Sequence, residues 1–177
     1  SNQGVAWPNS RFVAGSGATT ECITDKLTGL MWPKNGIIGF EETNGGGLIA
    51  QPNYTNTTTN LNILNLVDAL TAVANMNTAP IKLCGYSDWR LPNIVELKSL
   101  VNYGIANPSN WLMYGSGTSG SPMCSGACFS NVQDYYWSSS TWATAQPLEW
   151  VVSFILSSVD SDSKSSDHSV WPVRGGL

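Results

Sequence analysis

The spacing of apolar residues changes several times along this chain, and each change predicts an element. Asp25-Lys-Leu-Thr-Gly-Leu-Met-Trp32 reads as a turn feeding a short apolar strand, preceded by a Trp-Pro pair and a Gly-Ser-Gly turn at 15–17. Residues 35–60 are rich in Gly, Asn and Thr without periodicity and predict a long loop, which carries sequons at Asn53 and Asn56. From Leu61 to Met76 apolar residues, among them Leu61, Leu64, Leu70, Val73 and Ala74, fit a helix, and Pro80 bars its extension.

The stretch Cys84 to Leu100 carries the densest signal. Gly85 to Asp88 predicts a turn, Trp89 and Leu91 alternate with polar neighbours as in a short strand, and Pro92 stops that strand from continuing. Asn93 is suited to cap a helix, with Glu96 completing a capping box. Ile94, Leu97, Leu100 and Val101 then share one face as far as Gly104. Residues 104–134 return to loop character, with a Gly-Ser-rich run at 115–122. The last third reads as strands at 135–142, 148–154 and 169–174 in an antiparallel meander, with 157–167 as a polar hairpin tip. Two helices packed on antiparallel strands with long loops make an α+β class.

With 177 residues, 42% of them hydrophobic, one well-buried domain is expected over residues 4–177, residues 1–3 reading as a cloning scar and flexible start. No apolar run is long enough to span a membrane. The start lacks the regions of a signal peptide, so any export signal lies upstream. Charged residues make up only 11%, while hydroxyl and amide side chains abound, a composition suited to an extracellular surface. A net charge of −4 with eight Lys and Arg disfavours nucleic acid as a partner.

Four cysteines, Cys22, Cys84, Cys124 and Cys128, suggest two disulfides in an extracellular setting, with three connectivities open. The favoured one joins Cys22 to Cys84 and Cys124 to Cys128, because the second pair closes a short Gly-containing loop. Structural zinc fits this spacing poorly, and the single histidine, His168, lies far away, so no metal or cofactor is expected. Asp160, Asp162 and Asp167 could wrap calcium, but they lack the central Gly and closing Glu of a calcium loop and include Lys164. No nucleophile–base pair, phosphate loop or nucleophile elbow is present, so no enzymatic activity is expected.

Asp25-Lys-Leu-Thr-Gly-Leu-Met-Trp32, Gly85-Tyr-Ser-Asp-Trp-Arg-Leu-Pro92, Tyr136-Trp-Ser-Ser-Ser140 and Val170-Trp-Pro-Val-Arg-Gly-Gly176 together, in this order, resemble the C-terminal domain of the Legionella collagen-like protein (Lcl) family. Trp89-Arg-Leu-Pro92 and Val173-Arg-Gly-Gly176 are also similar to the formylglycine-generating and sulfatase-modifying proteins. That remote likeness implies a C-type-lectin-like architecture without their catalytic cysteines. The Lcl resemblance implies an extracellular, cell-surface adhesin domain. Such a domain follows a collagen-like stalk as a homotrimer, binds sulfated glycosaminoglycans or similar anionic polysaccharides, heparin included, and serves cell adhesion and biofilm formation. The rival reading is a structural trimerisation cap with no ligand of its own.

Three-fold symmetry would gather a few lysines into a positive basin on an acidic protein, making Lys26, Lys34, Lys82, Lys98 and Lys164 the candidate sulfate ligands, each weighed against an ordinary solvated role. Trp32, Trp89, Trp137, Trp150 and Trp171 are expected in the core, whereas Trp111 and Trp142, beside loops, are candidate sugar contacts. Arg90 and Arg174 are read as structural, with Asp88 the expected partner of Arg90, and Trp89 as scaffold.

Overall fold

The structure, a computed structural model, describes residues 11–36, 39–42, 48–51, 63–80, 82–115, 128–143 and 147–175; for 39–42, 48–51 and 63 it describes the backbone alone. In chain order the strands are β1 (Phe12–Ala14), β2 (Cys22–Asp25), β3 (Leu30–Pro33), β4 (Gly39–Glu42), β5 (Leu48–Gln51) and β6 (Ile63–Leu64). Helices α1 (Leu66–Thr78), α2 (Ile94–Leu100) and α3 (Pro108–Tyr114) follow. The chain then runs through β7 (Tyr135–Thr141), β8 (Leu148–Ser153), β9 (Val159–Ser163), β10 (His168–Ser169) and β11 (Arg174–Gly175). The class is α+β. One sheet is ordered β1-β2-β3-β11, a second β6-β10-β7-β8-β9, and β4 pairs with β5 alone.

Alternation along β7 and β8 decides where the core sits. Tyr136 and Val152 point to one face of the five-stranded sheet, Trp137 and Val151 to the other, and all four are buried. A sheet covered on both faces needs such unbroken apolar runs, here Tyr135-Tyr-Trp137 and Val151-Val152. One core joins Trp137, Val151 and Val170 to Leu66, Ala69, Val73 and Met76 of α1, and to Leu83, Cys84 and Trp89. The other joins Tyr136, Val152, Phe154 and Trp171 to Leu97 and Leu100 of α2, Leu112 of α3, and Ile23 and Trp32 of the first sheet. Each fully buried indole removes about 200 Å² from water, a stabilisation of about 5 kcal/mol. Trp171 also links the sheets by donating from Nε1 to the Pro33 carbonyl at 3.0 Å.

The capping box at α2 forms as the sequence predicts: Asn93 Oδ1 accepts from the Glu96 amide at 2.9 Å, and Glu96 Oε2 accepts from the Asn93 amide at 2.8 Å. The helix stops at Leu100 instead of reaching Tyr103. α1 begins at Leu66, later than Leu61, because Asn65 caps it by accepting from the Asp68 amide, and Ile63–Leu64 serve as β6. Several expectations are corrected. The segment expected as loop at 35–60 contains the antiparallel pair β4–β5. The loop expected at 104–134 contains α3, started by Asn107 with Pro108 at its first turn and ended by Gly115 at φ 73°.

The polar hairpin tip expected at 157–167 contains β9, paired to β8 along its length. The strand expected at 169–174 divides between two sheets. Ser169 pairs with Tyr136 in parallel, which breaks the all-antiparallel expectation, and Arg174 pairs with Met31 of β3. The strand expected around Trp89 reduces to a single bridge between Arg90 and Val173.

Cys22 and Cys84 form a disulfide that ties β2 to the turn before Trp89. Cys128 is disulfide-bonded as well. Cys124 lies outside the described residues, as do the start of the chain, the sequons at Asn53 and Asn56, and most of the Gly-Ser-rich run. No described helix is long and apolar enough to cross a membrane.

Candidate functional site

The turn between β2 and β3 organises one end of the molecule. Asp25 holds it by accepting from the Leu27 amide at 3.0 Å and the Thr28 hydroxyl at 2.8 Å. The Arg11 guanidinium then grips Asp25 with two bonds, at 2.7 and 2.6 Å, and donates to the Ser99 carbonyl at the end of α2 at 2.8 Å. Both members of this ion pair are buried. Lys26 and Lys98, the chain neighbours of the two groups that Arg11 joins, are both exposed. Leu27, at the tip of the same turn, is 71% exposed.

Two further acids, Glu96 and Asp88, are matched by arginines. Arg90 makes two bonds to Glu96, at 2.7 and 2.6 Å, and also donates to the carbonyl of Gly175, which pairs with Leu30 directly after the turn. Arg174 binds Asp88 through Nε at 2.7 Å and Nη2 at 3.1 Å, and its guanidinium lies 3.5 Å from the centre of the Tyr86 ring. The expected Asp88–Arg90 pair is therefore replaced by two others. The reason is geometric: the capping box turns Glu96 back toward Arg90, and β11 brings Arg174 to Asp88.

These contacts keep the carboxylates charged. The bond from Arg174 holds Asp88 below the usual carboxylate range. Burial works to raise Glu96, but the Arg90 bonds and the Asn93 amide bring it below its ordinary value, and Glu96 in turn raises Arg90. Asp25, Asp88 and Glu96 are each matched by Arg11, Arg174 and Arg90. Among the described residues Lys26 and Lys98 thus stand as the uncompensated cations of this set, on a chain whose net charge is −4.

The other candidates fall elsewhere. Lys82 donates from Nζ to the Asn77 carbonyl at 2.5 Å, and Lys164 lies 3.4 Å from Glu149, so both serve internal contacts. Lys34 is half-buried just after β3, where its amide donates to the Glu21 carbonyl. Trp111 packs against the second core, with its ring 6.1 Å from Phe12. Trp142 is half-buried, and its ring meets that of Trp150 at a centroid distance of 4.1 Å with the planes tilted by 45°. Trp150, expected in the core, is also half-buried, because it sits on β8 beyond the edge of the apolar cluster that takes Val152 and Phe154.

In the Asp160–Asp167 segment two of the three carboxylates are engaged: Asp160 accepts from the Ser158 hydroxyl, and Asp162 bonds His168 at 2.9 Å and accepts from Ser166. Among the described residues no cluster of His, Cys, Asp and Glu could hold a metal ion.

Sequence reasoning missed Arg11, whose burial no local pattern announces, and Leu27, whose exposure follows only from its place at a turn tip. Both become visible once Asp25 is seen to cap that turn. No curated protein matches the chain. The model of the Lcl C-terminal domain family matches residues 21–174, a span that takes in the Asp25 turn, both cores and Arg174, and the chain belongs to that family.

Proposed function

We propose that this domain is a non-catalytic, extracellular adhesin head that binds sulfated glycosaminoglycans or similar anionic polysaccharides, follows a collagen-like stalk as a homotrimer, and serves host attachment and biofilm formation. Membership of the Lcl C-terminal domain family over residues 21–174 carries this reading. The C-type-lectin-like architecture belongs to the same proposal. Lys26 and Lys98 supply the ligand contact: they are exposed, and Asp25, Glu96 and Asp88 are already matched by arginines. Sulfate is a permanent anion, and two ammonium groups on one end of each protomer, repeated by symmetry, would focus a positive potential there.

Heparin binding measured by surface plasmon resonance against rising salt tests this. Wild type is expected to bind at low ionic strength and to weaken steeply as salt screens the contact. The Lys26→Gln/Lys98→Gln variant is expected to lose about tenfold in affinity, each exposed charge contributing up to about 1 kcal/mol. Lys82→Gln, which alters a lysine tied to Asn77, is expected to bind like wild type. Absence of heparin binding at low salt would overturn the proposal and favour a purely structural cap.

A further inference from the structure

Trp142 and Trp150 belong to neither apolar core, whereas Trp32, Trp89, Trp111, Trp137 and Trp171 all pack in one or the other. The two rings instead meet each other, with centroids 4.1 Å apart and planes tilted by 45°, and each is half-buried. An indole left partly in water outside the core keeps apolar area that a ligand can still cover.

The surroundings say what kind of ligand. Trp150 pairs with Ser161 of β9 and Leu148 with Ser163, so hydroxyls flank the rings along the outermost strand of the five-stranded sheet. Alternation sends Glu149 and its register partner Asp162 to the opposite face, where Glu149 meets Lys164 and Asp162 meets His168. The charged side chains of this strand pair thus lie on the other side of the sheet from Trp150. Two partly accessible indoles bordered by serine hydroxyls, with no cation on this face of the β8–β9 pair among the described residues, match a neutral pyranose: its C–H face covers the rings and its hydroxyls meet Ser161 and Ser163, the latter already bonded to the Ser165 hydroxyl at 2.8 Å. A sulfated sugar would find no counter-charge there. A lipid or an apolar protein segment would need more adjoining apolar surface than these serines provide.

We propose that Trp142 and Trp150 form a stacking platform for a neutral pyranose unit. This rests on the glycan-binding reading above and adds to it a second kind of contact, in which the lysine end takes sulfate and the tryptophan pair takes the sugar ring.

Lactose and cellobiose are titrated to about 50 mM against the intact domain, followed by tryptophan fluorescence and by saturation-transfer NMR, a range suited to millimolar single-ring contacts. Saturable binding of at least one sugar is expected, unchanged between low and high salt because no ion pair is involved. It should weaken about tenfold in Trp142→Ala and in Trp150→Ala, and stay within about threefold in Trp150→Phe, which keeps an aromatic face. Thermal unfolding followed by circular dichroism checks that each variant is folded; both rings lie outside the cores, so native-like melting is expected. No saturable binding of either sugar, or binding that survives both alanine variants, overturns the platform. Lysine-dependent heparin binding in those same samples would leave the glycan-binding reading standing while the platform falls.

Discussion

The Cys22–Cys84 disulfide makes a prediction whose size follows from chain length. It closes a loop of 62 residues, and loop-closure entropy for that span stabilises the fold by about 4 kcal/mol by restricting the unfolded chain. Both cysteines are also buried in the core beneath α1, so truncation at either site adds a packing loss of about 1 kcal/mol. The crosslink disappears when either partner is removed. Cys22→Ala and Cys84→Ala should therefore each cost about 5 kcal/mol, and the double variant only about 6 kcal/mol, far less than the two singles combined. Urea unfolding followed by tryptophan fluorescence and far-UV circular dichroism, with the other cysteines kept oxidised, gives these energies. A fall in Tm of about 12–24 °C should accompany the double variant. Singles that add to the double would show that packing, not the crosslink, carries the effect. A double variant within about 2 kcal/mol of wild type would refute the loop-closure argument altogether.

Further perturbations address the buried charges. Arg11→Met strips Asp25 of its guanidinium partner in a site where the two side chains are only 1% and 0% exposed, so a loss of about 3–5 kcal/mol is expected in urea unfolding. The β2–β3 turn should loosen with it, read as faster amide hydrogen exchange at Leu27 and Gly29, whose amides donate to Asp25. Glu149 is 2% exposed, and burial pushes its carboxyl up against the opposing pull of Lys164. A folded-state pKa above the unfolded value means that protonation favours the fold. The resulting stability is therefore full below the unfolded pKa and lost as pH rises through the folded one. Relative to Glu149→Gln, wild type should gain stability as pH falls from 7 toward 4, measured by urea titrations at each pH; a difference independent of pH would show that the carboxyl is not perturbed.

What the sequence discloses about this fold is what short-range chemistry controls. The Asn93–Glu96 box could be named in advance because both of its bonds close within three residues. The same kind of signal was present at α3, in Asn107, Pro108 and Gly115. Its apolar residues, Trp111, Leu112 and Met113, run consecutively and not at helical spacing, so a glycine- and serine-rich neighbourhood outweighed the caps. Strand β9, Val-Asp-Ser-Asp-Ser, carries no apolar alternation because its carboxylates are satisfied by Ser158, His168 and Ser166, contacts that exist only after folding. Asp88 and Arg90 are two residues apart, so nearness in the chain favoured pairing them, yet each finds a better partner delivered from elsewhere, Arg174 by β11 and Glu96 by α2.

The candidate site follows the same rule. Five lysines look alike in the sequence, and what separates Lys26 and Lys98 from Lys82 and Lys164 is whether a carbonyl or carboxylate comes within reach of the ammonium group. The tryptophans divide in the same way. Trp150 shares its strand face with Val152, which is buried, and remains half-buried because the apolar cluster ends before reaching it. On a chain with so few charges, where the cores end and which ions are already paired decide the chemistry that is left at the surface.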